Sequence, residues 1–131
     1  MDKNYWGFEL RIDLGGCSLD KITSKENVAA FVKQLVQDID MVAYGEPDIP
    51  NFGHGDKAGF SLNQWISTSN ITGHFVNELL EVYLNIFSCK PFDKDIATEL
   101  AIKYFEAKTV QTDFKVRKAL AVDEIDCDCG C

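Results

Sequence analysis

The sequence predicts a two-layer α/β sandwich of the α+β class, with a mostly antiparallel sheet and two helices on one face. Three observations predict it. Strand-period alternation occurs near the start, in three closely spaced central segments and again near the end. Two segments carry apolar residues at helical spacing. The chain of 131 residues is one average domain, able to bury roughly two thirds of its unfolded surface in a single core.

The elements follow in order. Trp6, Phe8, Leu10 and Ile12 alternate with Gly7, Glu9, Arg11 and Asp13, a strand with one buried face that Gly15-Gly16 ends. Thr23-Ser-Lys-Glu26 is a capping-box pattern, and Val28, Phe31, Val32, Leu35, Val36 and Ile39 then recur on one face of a helix over 24–40. A short apolar piece, Met41 to Tyr44, is counted with the strands. It runs into Gly45, Pro47, Pro50, Gly53, Gly55 and Gly59, a density of breakers that predicts a long functional or mobile loop over 45–59. Strands are predicted over 60–67, 71–76 and 82–88, close enough in succession to favour antiparallel pairing. Pro91 and Asp93 open a second helix, with Ile96, Ala97, Leu100, Ala101, Tyr104 and Phe105 on its apolar stripe, ending near Lys108. Val110, Thr112, Phe114 and Val116 form a last strand. One domain over 1–120 and an acidic, cysteine-rich tail over 121–131 result. The second sheet face is left for solvent or for a partner subunit.

Thirteen Lys and Arg against 21 Asp and Glu leave a net charge of -8, which repels a phosphate backbone and argues against nucleic acid. No apolar run approaches the eighteen or so residues of a membrane span, so a cytoplasmic protein with no membrane partner is expected. Walker, dinucleotide-glycine and HExxH patterns do not occur. Five cysteines are an odd count, with Cys127, Cys129 and Cys131 crowded at the end, and they read as reduced thiols rather than a disulfide framework. Three local thiols fall short of the four ligands of a closed zinc site, so no metal is assigned and the tail reads as a flexible acidic terminus.

The informative stretch is 59–93, GFSLNQWISTSNITGHFVNELLEVYLNIFSCKPFD. Ser61 and Ser69 flank a strand, His74 follows Ser69 by five and Glu78 follows His74 by four. Cys89 closes the aromatic run Ile86-Phe87-Ser88. Ser69-Asn70 lies between two strands, where a hydroxyl meets a sharp turn. An imidazole is the base nearest neutrality, and His74 is one of 2 histidines in the chain. A thiol gives up a proton near pH 8. Taken singly, each residue also suits a structural role: a turn serine, a satisfied histidine, a small buried hydrophobe, a solvated glutamate.

Taken together, their order and spacing resemble the bacterial S-adenosylmethionine decarboxylase proenzymes, from about residue 6 to 117. That family has G-V-S-G before the processed serine, a histidine opening H-T-W-P-E after it, and a strand ending in F-T-C. The resemblance implies a pyruvoyl cofactor made from Ser69 by cleavage after Thr68, with His74 assisting ester elimination and Ser61 supporting His74. It further implies Cys89 as the proton donor to the decarboxylated carbanion, and a homodimer with sites at the subunit junction. Substrate contacts fall to Glu78 and to Phe52 or Phe60, whose rings can stack on an adenine.

The chain departs from the family at several positions. Thr68 replaces the glutamate usual before the processed serine, Val76-Asn77 replaces Trp-Pro, and Leu62 replaces the glycine after the supporting serine. Three functions are carried forward: a self-processing decarboxylase of S-adenosylmethionine in polyamine biosynthesis, a pyruvoyl decarboxylase of another amino acid, and an unprocessed homologue that binds a ligand or regulates a true decarboxylase.

Overall fold

The computed structural model describes residues 4–122; the expected acidic, cysteine-rich tail over 121–131 lies outside the described residues from 123 onward. β1 (Gly7–Gly15) buries Leu10, Ile12 and Leu14 on one face and sets Glu9, Arg11 and Asp13 on the other, as its alternation predicts. Trp6, on the predicted buried parity, precedes the strand and is 54% exposed.

After Gly16 the chain makes one helical turn, α1 (Leu19–Ile22), which the sequence pattern did not predict. Thr23 ends α1 rather than opening the next helix, and its Oγ1 donates to the Leu19 carbonyl at 2.7 Å. The cap of α2 (Lys25–Asp38) is Ser24, whose hydroxyl accepts from the Asn27 N–H at 3.1 Å. The expected capping box is therefore shifted by one, and Glu26 falls one residue short of the position from which it would close it. Val28, Phe31, Val32, Leu35 and Val36 form the buried stripe of α2.

The Met41 to Tyr44 piece makes only an isolated bridge, Ala43 to Ile66, and the short edge strand is instead β2 (Asn51–Phe52). The stretch 45–59 is not a free loop. Asp48 and Asn63 exchange backbone bonds at 2.9 Å, the Pro50 carbonyl accepts from the Ser61 N–H at 2.8 Å, and the Gln64 amide donates to the Gly45 carbonyl at 3.1 Å. Gln64 is 1% exposed, and its amide nitrogen can be buried because it donates both to that Gly45 carbonyl and to the Trp65 carbonyl at 2.8 Å.

β3 (Gly59–Ile66), β4 (Ser69–Val76) and β5 (Glu81–Ser88) fall close to the predicted spans. α3 (Lys94–Phe105) starts at Asp93, whose carboxylate accepts from the N–H groups of Asp95 and Ile96 at 2.9 and 3.1 Å. Its buried stripe is Ala97, Ala101 and Phe105, whereas Ile96 is 40% exposed. Two alanines let the α3 backbone approach closely, and bulk comes from Phe31 and Phe75, whose rings lie 4.9 and 5.2 Å from Phe105. β6 (Thr109–Arg117) completes the sheet.

The strand order is β2-β3-β4-β5-β1-β6, and every pairing is antiparallel. One apolar cluster fills the space between this sheet and the helices. The other sheet face carries Glu9, Arg11, Asn63, Thr72, His74, Tyr83 and Asn85, the residues of opposite parity to the core.

Candidate active site

The predicted site residues fall into two pairs at opposite ends of β4. At its start, β3 turns into β4 through Ser67 and Thr68 alone, since Ile66 pairs with Ser69. Ser69 also pairs with Ser88 at the end of β5, and the next residue, Cys89, donates its N–H to the Thr68 carbonyl at 3.0 Å. That carbonyl belongs to the peptide bond joining Thr68 to Ser69. Gly7 lets β1 lie against this corner, because a Cβ there would stand 2.7 Å from the Ser88 carbonyl oxygen.

Hydroxyls tie the same corner together on its inner side. Ser88, fully buried, accepts from the Lys90 N–H at 3.0 Å and donates to Thr68 Oγ1 at 2.8 Å. Thr68 Oγ1 in turn reaches Met41 Sδ at 3.4 Å. Ser69 and Cys89 are marked by the residue spacing, whereas no local pattern marks Ser88 or Met41.

At the far end of β4, His74 stands directly opposite Ser61 in the register, with Ser61 Oγ 3.2 Å from His74 Nδ1. His74 is exposed, and the pair opens on a cavity of about 420 Å³ lined also by Lys57, Phe60, Val76 and Tyr83. Gly59 shapes this end, since a Cβ there would collide with the Phe75 carbonyl, and its φ of +151° is rarely adopted by other residues. The Tyr83 hydroxyl donates to Glu81 Oε1 at 2.6 Å, and that bond, with burial and the Glu81 and Asp13 charges, raises its pKa.

Ser61 is thus brought to His74, and the Cys89 backbone to the Thr68–Ser69 peptide, but the two ends are not brought to each other. Five residues of extended strand separate Ser69 from His74, about 16 Å. Of the predicted substrate contacts, Phe60 lines the far cavity, while Glu78 is exposed in the turn after β4 and is not among the lining residues. The Phe52 side chain lies outside the described residues. A second cleft, of about 370 Å³, sits beside the near pair and was not predicted. It holds the Trp6 and Phe87 rings 5.4 Å apart and the Arg117 guanidinium 5.1 Å above Phe87, paired to Glu9 at 2.9 Å. The alternation of β5 marks Phe87 only as a strand aromatic, and its partners Trp6 and Arg117 lie far from it in sequence.

No group of three or more metal-ligating side chains and no helix long and apolar enough to cross a membrane occurs among the described residues.

A one-sided helix layer on an antiparallel sheet defines a class of two-layer α+β proteins. The crystal structure of adenosylmethionine decarboxylase from Aquifex aeolicus VF5 has this fold, with a TM-score of 0.76 over 92% of this chain and 97% of that one at 17% identity. A sequence model of the S-adenosylmethionine decarboxylase family matches residues 9–118. The S-adenosylmethionine decarboxylase proenzymes of Clostridium botulinum strains Loch Maree / Type A3 and Hall / ATCC 3502 / NCTC 13319 / Type A are each 33% identical over 90 residues, 68% of this chain and 74% of theirs. The chain belongs to the S-adenosylmethionine decarboxylase family.

Proposed function

We propose that this chain is a self-processing decarboxylase of S-adenosylmethionine, cut between Thr68 and Ser69 and completed by a second copy of itself. One observation carries the reading. The carbonyl that Ser69 would attack already accepts a hydrogen bond, at 3.0 Å, from the Cys89 N–H.

Attack by Ser69 Oγ on the Thr68 carbonyl carbon places negative charge on the carbonyl oxygen, where a fixed N–H stabilises it. Collapse breaks the bond from that carbon to the Ser69 nitrogen. The hydroxyl proton passes to the nitrogen, leaving an ester and a free amine. A base then removes the Ser69 Cα proton, the Cβ–Oγ bond breaks and Thr68 departs as a carboxylate. Water replaces the nitrogen, which leaves as ammonia, and residue 69 becomes a ketone. The corner fits this pyruvoyl group because its source, Ser69, stands at the turn beside Cys89. A pyruvoyl carbonyl supplies an electron sink for loss of carbon dioxide. Cys89 Sγ is assigned delivery of the proton to the substrate carbon, and Trp6 and Phe87 offer flat surfaces to a purine beside it.

The base is assigned to His74, held by Ser61, of a second copy. Within one chain His74 lies too far along β4 to reach Ser69. A two-fold arrangement with the open sheet faces opposed reverses one β4 over the other and brings each Ser61–His74 pair toward the other copy's Ser69–Cys89 corner. Phe60 and Glu78 of the second copy then approach the same substrate. Polyamine synthesis in the cytoplasm is the setting this activity implies.

Intact mass tests the cut. Purified protein should contain residues 1–68 and residues 69–131 as separate pieces, the second lighter by one ammonia than a serine-terminated peptide and closed to amino-terminal sequencing. Carbon dioxide release from S-adenosylmethionine should exceed that from ornithine or arginine. A chain that stays whole for days at neutral pH refutes self-processing and favours the unprocessed ligand-binding reading. Cut protein that prefers another amino acid moves the substrate assignment.

A further inference from the structure

We infer that Ser88 is a positioning residue for the cut between Thr68 and Ser69, acting through the Thr68 hydroxyl; this rests on the self-processing reading above. Each hydroxyl has one hydrogen to give, which orders the network. Ser88 Oγ accepts from the Lys90 N–H at 3.0 Å, so its own hydrogen goes to Thr68 Oγ1 at 2.8 Å rather than to Met41 Sδ at 3.6 Å, the longer bond to a weaker acceptor. The Thr68 hydrogen then goes to Met41 Sδ at 3.4 Å.

Thr68 is β-branched and stiff about χ1, so holding its hydroxyl fixes the orientation of its Cα and carbonyl as well. The segment 88–90 therefore grips Thr68 twice, by Ser88 Oγ on the side chain and by the Cys89 N–H on the carbonyl. The outer ends of the network are also joined. Lys90 Nζ donates to the backbone carbonyl and carboxylate of Asp40, the residue before Met41. The result is a closed ring from Asp40-Met41 through Thr68 and Ser88 to Lys90 and back to Asp40. Such a ring holds the scissile carbonyl against its amide donor before attack, where an oriented reactant has most to gain.

It also answers the departure at 68. The glutamate usual in the family is replaced by a residue whose short hydroxyl matches Ser88. A buried serine needs partners whatever its role, so loss of stability alone does not distinguish positioning from packing. The step at which processing stalls does.

The experiment follows newly synthesised chain in a cell-free translation system, scoring cut against uncut protein over time with and without hydroxylamine, which cleaves esters but leaves amides. Wild type should cut. Ser88→Ala should cut about tenfold more slowly, the scale of one lost hydrogen bond in the barrier, and hydroxylamine should not accelerate it because the block precedes the ester. Thr68→Val keeps the shape of the side chain and should behave alike, which covers a Ser88→Ala protein that fails to fold. Ser88→Thr, the residue of the family's F-T-C, should restore cutting. Folded Ser88→Ala or Thr68→Val that cuts at the wild-type rate overturns the inference, as does a variant that stalls as a hydroxylamine-sensitive ester, or Ser88→Thr that folds without rescue. Wild type that neither cuts nor responds to hydroxylamine overturns the self-processing reading and this inference with it.

Discussion

The two ends of β4 are built on different physical principles. At the Ser69 end the chain reverses in two residues, and a ring that runs from the buried Ser88 and Met41 through the half-buried Thr68 to an exposed Lys90–Asp40 pair leaves the Thr68–Ser69 peptide little freedom. At the His74 end an imidazole stands exposed beside a cavity of about 420 Å³, partly lined by the 45–59 stretch. On the proposed reading, a bond broken from within its own chain benefits from rigidity, and a base shared with a second copy and a substrate benefits from access. The contrast teaches that matching a family's residue spacing does not place those residues in one pocket of one protomer.

The largest expected effect breaks the comparison outright. Ser69→Ala should abolish cutting, and His74→Ala should slow it by at least about 100-fold, the scale of lost acid–base assistance. Co-expressing the two variants should restore cutting of the His74→Ala chains, because a mixed pair rebuilds one complete site. Failure of that rescue, measured by gel, removes the division of labour between copies.

Next comes Cys89→Ala. It keeps the backbone N–H on Thr68, so some cutting should persist, while decarboxylation of the cut protein falls by about 100-fold or more. Equal turnover would remove the proton-donor role of the thiol. Gly59→Ala sharpens the description of the far end. Its Cβ meets the Phe75 carbonyl at a φ of +151°, and thermal unfolding should report a loss of about 2–4 kcal/mol.

The smallest effect concerns Cys17, whose pKa is raised from 9.0 to about 11 by burial first and by the Glu81 charge second. A folded-state pKa above the unfolded one means the folded protein holds the proton more tightly. Its contribution is complete below pH 9 and is lost as pH rises toward 11. The loss should be no more than about 3 kcal/mol, and the slope of stability against pH should flatten in Cys17→Ala.

Much of this architecture is legible in local pattern because local pattern is where its physics lies. Period-two alternation in β1, β3 and β5 and the stripe of α2 report which side of each element meets the core. The misreadings have specific causes. Thr23 and Ser24 are both good caps, and only the intervening turn α1 decides between them. Ile96 fits the apolar stripe of α3 by type, but close packing through Ala97 and Ala101 rotates it outward. The glycines and prolines of 45–59 signal irregular backbone correctly, yet they cannot reveal that Gln64 and Asn63 bind that backbone to β3.

By itself, then, the amino-acid order determined most of the elements, the family and the candidacy of Ser61, Ser69, His74 and Cys89, because helical and strand periods and fixed residue intervals are properties of a single segment. Only the tertiary structure decided that Ser61 joins His74 while the Cys89 N–H meets the Thr68 carbonyl, that Ser69 and His74 lie about 16 Å apart along β4, and that Ser88 and Met41 hold Thr68. Those facts depend on strand register and on contacts between residues far apart in sequence, such as the 47 positions from Met41 to Ser88, and no local interval encodes them.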